Sequence, residues 1–326
     1  MKICVYGAGA IGGHIAARLA KGGSEVSVVA RGAHLAAIRQ NGLTVNGDEG
    51  SFTLPVAGSD NPADLGMQDA VIVTVKAPAL PSVAAGIGPL LGRETPVAFV
   101  MNGIPWWYFH GHGGKHDGQR LPKLDPDDAL WKAVGPERAI GGVVYSACTV
   151  TAPGVIQVAG KHTHIVLGEP DGRNSGRVEG LAEALRAGGW RIDVSARIRD
   201  AIWTKLMLNL YSGLLGIVSG APLSEVLAEP AAQDAARRIM EEGVALAAAM
   251  GCAATLNIDR VLANGRQSKH TPSVVQDLQL GRPMEIETLY AMPLAMARQA
   301  GVSTPTLDLL VMLAAQRAAA AGLYTP

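Results

Sequence analysis

The spacing Gly7-x-Gly9-x-x-Gly12 constrains this chain more than any other feature. It follows a short apolar run, Lys2–Tyr6, whose Ile3 and Val5 read as a buried strand. A helical pattern comes straight after it. Ile11, Ile15 and Leu19 share one face, Ala16, Ala17 and Ala20 fill in, and Gly22-Gly23 ends the run. Strand, glycine turn and helix in that order form the context that a dinucleotide-binding fingerprint requires. Gly7 permits a tight turn, Gly9 lets the backbone approach a pyrophosphate, and Gly12 lets the helix pack close to the strand. The main chain of Gly7, Ala8, Gly9, Ala10, Ile11 and Gly12 is then the expected phosphate cradle, with helix N-terminal N–H groups facing the ligand.

The second strand, Glu25–Val29, indicates which dinucleotide. An NAD enzyme usually ends this strand with a carboxylate that binds the ribose 2′-hydroxyl. Here the strand runs out at Ala30-Arg31-Gly32, and a guanidinium stands where the carboxylate would be. The Arg fork matches a 2′-phosphate, so NADP is the expected cofactor and Arg31 its reader.

At 326 residues the chain suits two domains better than one. Its 28 basic side chains balance 28 acidic ones, which gives no reason to expect a nucleic acid or a membrane surface as partner. Cys4, Cys148 and Cys252 have no spacing that suggests zinc or a disulfide framework, and Cys4 reads as a small buried hydrophobe. Residue 1 already leads into a strand, so no signal peptide is expected, and Leu206–Val218 is too short an apolar run to span a bilayer. The cytoplasm is the expected compartment.

After Arg31 a helix is expected over Ala33–Arg39, then two short strands, Gly42–Asn46 and Ser51–Leu54, around an Asn46-Gly47 turn. Asp69–Lys76 and Thr95–Met101 are buried-strand runs suited to a parallel sheet, and Ala79–Leu91 suits a helix. Strand ends thus deliver Gly7, Lys76 and Asn102 to one edge, the carboxyl edge where such sheets bind ligands. The stretch 104–138 is rich in Pro, Gly, Asp and aromatics, including Trp106-Trp107-Tyr108-Phe109 and the nearby His110, His112 and His116. A loop of this length suggests a hydrophobic lid over the active site, with a partner contact as the second reading. The histidines are separated by glycines in no helical register, so no metal site is expected. Strand-like text resumes over 140–151, 155–158 and 164–167 as antiparallel additions to the sheet, followed by a helix, Gly176–Ala187, and a strand, Arg191–Val194. From 197 the pattern is helical, with helices near 197–218, 231–250, 257–264, 284–300 and 304–320. The expected architecture is α/β: a Rossmann-type doubly wound sheet with an antiparallel extension over 1–196, then an all-α domain over 197–326.

Lys205 and Asn209 share one face of the first long helix, while Ile202, Leu206 and Leu210 form the other. A lysine in so apolar a context is partly desolvated, which lowers its pKa and suits a proton donor. Further on, Ser273 is placed to cap a short helix, and Glu285 and Glu287 put two carboxylates into an otherwise apolar run.

Taken together, the glycine fingerprint, the strand ending in Lys76, the Asn102-Gly103 pair, the Lys205-x-x-x-Asn209 helix and the Ser273…Glu285-Ile-Glu287 segment resemble the ketopantoate reductase (2-dehydropantoate 2-reductase) family over nearly the whole chain. The resemblance implies an N-terminal domain that binds NADPH and a helical domain that closes over a 2-oxo acid. It implies Lys205 as proton donor, Glu285 near that lysine and the cofactor, Asn209 and Ser273 on the substrate, and Lys76 and Asn102 on the cofactor.

Departures from the pattern concern the substrate. Gly213 stands where the family usually has a second asparagine, Leu223 and His270 lie where others are found, and the 104–138 stretch is much longer. These changes point to an enlarged, less polar pocket and to ketopantoate as a poor substrate. The expected activity is NADPH-dependent reduction of a 2-oxo acid. The alternatives are oxidation of a hydroxy acid, an activity like that of the 3-hydroxyacid dehydrogenases, or a non-catalytic NADP sensor. A C2 homodimer is expected from the apolar faces of the helical domain and from the habit of relatives.

Overall fold

Ile3, Cys4 and Val5 are wholly inaccessible, as befits a strand covered on both faces. Burial pushes the Cys4 thiol up to about 11, so it packs as a hydrophobe. The structure, a computed structural model, describes residues 1–48, 50–268 and 271–325, with every side chain in them except those of Lys161 and His162. Two units emerge, Met1–Met101 with Trp106–Ile198, and Asn102–Pro105 with Arg199–Pro326.

The first unit runs β1 (Lys2–Tyr6), α1 (Ala10–Lys21), β2 (Glu25–Val29), α2 (Gly32–Asn41), β3 (Leu43–Gly47), β4 (Gly50–Leu54), β5 (Ala57–Ser59), β6 (Ala70–Val73), α3 (Leu80–Gly86), β7 (Val97–Val100), α4 (Ala129–Ala133), β8 (Ala139–Ala152), β9 (Val155–Gly168), α5 (Gly176–Ala187) and β10 (Arg191–Val194). Its ten-stranded sheet has the order β4-β3-β9-β8-β7-β6-β1-β2-β5, with β10 also beside β9. From β5 through β2, β1, β6 and β7 to β8 all pairs are parallel, and β8 turns back antiparallel into β9. The Rossmann-type core and its antiparallel extension are therefore one continuous sheet. Helix α1 lies on β1, β2, β8 and β9 and against α5, where Ile15, Leu19, Leu181 and Leu185 are buried in one core.

Some local readings change. The runs 155–158 and 164–167 belong to a single strand, β9, opposite an equally long β8, and register shifts near Tyr145 and Val150 absorb the irregularity. Gly47 pairs with Gly50, so the hairpin turns after Asn46-Gly47 rather than at it. The expected helix to Leu91 stops at Gly86, and Gly88–Leu90, with Pro89 lacking an N–H, forms a 3-10 turn.

The larger correction concerns 104–138. Trp106, Trp107, Tyr108 and Phe109 are each no more than 2% exposed, inside the first unit. Trp106 meets Phe99 and Trp131 edge to face at 5.4 and 5.9 Å. Trp131 in turn is covered by the Arg120 guanidinium, 3.2 Å from its ring centre. The carboxylate of Asp125, itself buried, accepts from the Leu130 and Trp131 N–H groups at 2.7 and 3.0 Å and holds α4 against this cluster. So much aromatic surface is too costly to leave in water, and the segment is a satellite core rather than an open lid. The rings of His112 and His116 pack on Phe109 at 5.3 and 5.5 Å. Among the described residues no group of three or more His, Cys, Asp or Glu is placed to hold a metal.

In the second unit α6 (Ile198–Ser219) is followed by α7 (Leu223–Val226), α8 (Pro230–Ala249), α9 (Ile258–Gln267), α10 (Ser273–Gln279), a π-helical turn (Glu287–Ala291), α11 (Met292–Ala300) and α12 (Pro305–Ala320). Helix α6 has 22 residues, so by length and composition it passes for a membrane span, unlike the shorter run seen in the sequence. Most of it is buried, with Leu206, Met207, Leu210 and Leu214 at 1% exposure or less, as in the core helix of a folded domain. On α8, the Glu242 carboxylate accepts from the Thr306 and Leu307 N–H groups at 2.9 and 2.8 Å and caps α12. The short segment Asn102–Pro105 is tied to this unit through the Ile104 N–H, which donates to the Thr288 carbonyl at 2.9 Å.

Candidate active site

In the first unit the glycine turn has the shape its spacing demands. Gly7 has φ +104°, a conformation that L side chains avoid, and a Cβ there would also press on Val75. A Cβ on Gly12 would overlap the Gly7 carbonyl and the Thr74 hydroxyl, whose Oγ1 donates to that carbonyl at 2.7 Å. Gly9, the N-cap of α1, meets nothing within 4 Å in the direction a Cβ would take. Two glycines close the turn from behind and one opens it in front, which is the form of a cradle for a phosphate group. No acidic side chain occupies the first turn of α1 or of α2. Arg31 is exposed at the N-cap of α2, directly beyond β2. Lys76 is likewise exposed, beyond β6. The residues present therefore fit a dinucleotide with an additional phosphate.

A side chain also holds the cradle. The Gly154 N–H donates to His34 Nδ1 at 3.1 Å, so that nitrogen is unprotonated, and Nε2–H donates to the Ala8 carbonyl at 2.7 Å. His34 thus links α2, the β8–β9 turn and the glycine loop. Sequence reasoning missed it, because a lone histidine on a helix carries no motif.

In the second unit Ile202, Leu206 and Leu210 are buried, leaving Lys205 and Asn209 half-buried on the adjoining face. Desolvation lowers the Lys205 pKa to about 8, in the direction the apolar context predicts. The Asn209 amide Nδ2 is buried and has no hydrogen-bond partner among the described residues. A polar donor left in that state costs roughly 1–3 kcal/mol, which a ligand atom would recover. Glu285 is buried, at 6% exposure, just before the π-helical turn, whereas Glu287 accepts from the Tyr324 hydroxyl at 2.7 Å. Ser273 is exposed and is the first residue of α10; Pro272 holds the cap position, so the expected capping role does not occur.

Family profiles match both parts of the chain. Residues 3–172 match "Ketopantoate reductase PanE/ApbA" and residues 197–318 match its "C terminal" counterpart. The chain is 41% identical to a 2-dehydropantoate 2-reductase of Mesorhizobium japonicum over 100% of both sequences. The chain belongs to the ketopantoate reductase family. Among solved structures, a candidate ketopantoate reductase from Ralstonia solanacearum MolK2 superposes with TM-score 0.91 at 38% identity, covering 99% of each chain. The 2-dehydropantoate 2-reductase of Geobacter metallireducens superposes with TM-score 0.84 at 30% identity, covering 97% of this chain and 99% of its own.

Within that family the departures take on a different meaning. Gly213 does not enlarge a pocket. A Cβ there would collide with the Tyr290 hydroxyl and lie 3.0 Å from Val274, so the glycine makes room for a tyrosine. No local pattern signals this, since Tyr290 reads as one more core aromatic. Leu223 is buried, and its side chain comes within ordinary contact of the Cβ that Gly265 lacks, so it is a packing residue. His270 lies outside the described residues.

Proposed function

We propose that this chain reduces a 2-oxo acid with NADPH. The observation that carries the reading is Lys205, a desolvated amine on the same helical face as a buried amide donor that has no partner among the described residues. When bound, the nicotinamide supplies hydride to the carbonyl carbon. Lys205 gives its proton to the carbonyl oxygen as negative charge develops there, and its charge stabilises that oxygen. Asn209 and Ser273 orient the substrate, and Glu285 positions the lysine. The main chain from Gly7 to Gly12 holds the pyrophosphate, Arg31 the 2′-phosphate, and Lys76 and Asn102 the rest of the cofactor.

The lysine also bears on direction. Below about pH 8 the Lys205 amine is mostly protonated and serves as an acid, which favours reduction at neutral pH. Oxidation of a hydroxy acid, the second reading, needs the neutral amine that accumulates above that pH. A non-catalytic sensor has no use for a desolvated lysine. Steady-state rates in both directions, across a panel of 2-oxo acids and their hydroxy counterparts, test the proposal. Faster reduction at neutral pH is expected; turnover of no 2-oxo acid in the panel would sink it. A C2 homodimer belongs to the same proposal, supported by Leu309, Met312 and Leu313 exposed on one side of α12.

A further inference from the structure

The π-helical turn Glu287–Ala291 is followed at once by a proline that the proposed chemistry does not use. In such a turn a carbonyl accepts from the N–H five residues on, as that of Glu287 does from Met292. The next carbonyl, that of Thr288, would look to residue 293, and Pro293 has no N–H to give. Thr288 is buried, so its carbonyl needs another donor. It finds one outside the helix. The N–H of Ile104, a residue wholly buried itself, donates to it at 2.9 Å.

The segment held in this way is not an arbitrary piece of loop. Asn102–Pro105 belongs with the helical unit, although the chain on either side of it belongs to the first. Gly103 has φ +81°, and a Cβ there would fall 2.5 Å from the Thr288 carbonyl oxygen and 2.8 Å from the Thr288 Cβ. Any other residue would be strained at that φ and would press the joint apart. The joint therefore depends on two absences, an N–H at 293 and a side chain at 103. Asn102, assigned above to the cofactor, is the next residue along. Glu285 is tied to the same turn, where its carbonyl accepts from the Leu289 N–H at 3.2 Å. A proline within a helix marks an irregularity without saying what the freed carbonyl will bind.

We infer that Pro293 is a positioning residue: by withholding an N–H it reserves the Thr288 carbonyl for Ile104, and so fixes Asn102 for the cofactor. This rests on the proposed assignment of Asn102 to the cofactor. In a Pro293→Ala variant the helix can satisfy Thr288 from within. The new N–H does so in the π register, and Met292 does so in the α register that the proline ring opposes. Ile104 then loses its acceptor and Asn102 its anchor. If the ring served only to pack, residue 104 would feel no change.

Hydrogen exchange on the full-length protein reads the joint directly. Pro293→Ala should speed exchange of the Ile104 amide and leave the amides of α8 at their wild-type rates. Loss of one neutral hydrogen bond should weaken NADPH binding, measured by calorimetry, by about two- to tenfold. Gly103→Ala, which opens the joint from the other side, should weaken it at least as much. In an Asn102→Ala background neither substitution should weaken NADPH binding further, whereas a general loosening of the helix still would. An Ile104 amide as slow to exchange in Pro293→Ala as in wild type would overturn the inference and leave the assignment of Asn102 standing. Losses that add in full to that of Asn102→Ala would do the same. If Asn102→Ala binds NADPH as wild type does, the assignment fails and the inference with it.

Discussion

The glycine cradle of the first unit and the lysine face of α6 in the second work by opposite means. The cradle is backbone. Gly7, Gly9 and Gly12 contribute by lacking side chains, and its geometry is complete within a few residues of chain. The lysine face is side chain. It holds an amine whose pKa has fallen to about 8, a buried amide without a partner among the described residues, and a tyrosine hydroxyl that arrives from 81 residues away. A main-chain cradle can exist without ligand at little cost, since its N–H groups can face water. A side-chain site in a buried place is held at a cost in desolvation, and the surrounding fold must make that good.

If the contrast is right, the largest effect belongs to the desolvated amine. Lys205→Ala should lower turnover by a factor of about 10²–10⁴ and leave NADPH affinity, measured by calorimetry, within about twofold of wild type. The sign of the pH dependence follows from the lowered pKa. A general acid must be protonated, so the wild-type reduction rate should hold below about pH 8 and fall as pH rises through it. Lys205→Arg, charged throughout, should lose that limb whatever rate remains. A wild-type profile flat across pH 8 would remove Lys205 from the chemistry.

The same contrast explains what the sequence could disclose. The Gly7–Gly12 turn and the Lys205–Asn209 face were legible because local spacing alone determines them. That β6 and β7 lie in a parallel sheet covered on both faces followed from their apolar runs, whereas the order of the strands did not. By contrast, Trp106–Phe109 was misplaced as a lid. Length and composition say that a stretch is irregular, whereas its burial depends on Phe99 and Trp131 closing over it. Gly213 was misjudged for a similar reason. A glycine on a helix reads as vacancy until the neighbour that fills it is known, and that neighbour, Tyr290, sits on a π-helical turn with no sequence signature.

A smaller effect is expected where the cradle ends and side-chain recognition begins. Arg31 is exposed, so its contribution is confined to the 2′-phosphate it would bind. Arg31→Ala should cost about 1.5–3 kcal/mol of NADPH affinity, roughly ten- to a hundredfold, and leave NADH affinity nearly unchanged. Calorimetry with both cofactors gives the comparison directly. Equal loss for NADH and NADPH would mean that Arg31 steadies α2 instead of reading a phosphate.

The smallest expected effect probes whether the cradle is backbone alone. His34 donates from Nε2 to the Ala8 carbonyl and accepts the Gly154 N–H at Nδ1, so one ring ties the phosphate loop to the β8–β9 turn. Asparagine and glutamine divide these functions by reach. An asparagine amide extends about as far as Nδ1 and can keep the Gly154 bond while losing Ala8. A glutamine amide extends as far as Nε2 and can keep the bond to Ala8. Loss of one neutral hydrogen bond is worth about 0.5–1.5 kcal/mol, so His34→Asn should weaken NADPH binding roughly two- to tenfold. His34→Gln should stay close to wild type, because the tether on the loop itself is retained. The same two variants should leave kcat almost unchanged, since His34 holds the loop and touches no reacting atom. Were both variants to bind NADPH like wild type, the local turn would suffice by itself and the cradle would be main chain alone. A fall in kcat with unchanged cofactor affinity would instead show that the loop's position matters to the chemical step, and the division between a binding cradle and a reacting helix would no longer hold.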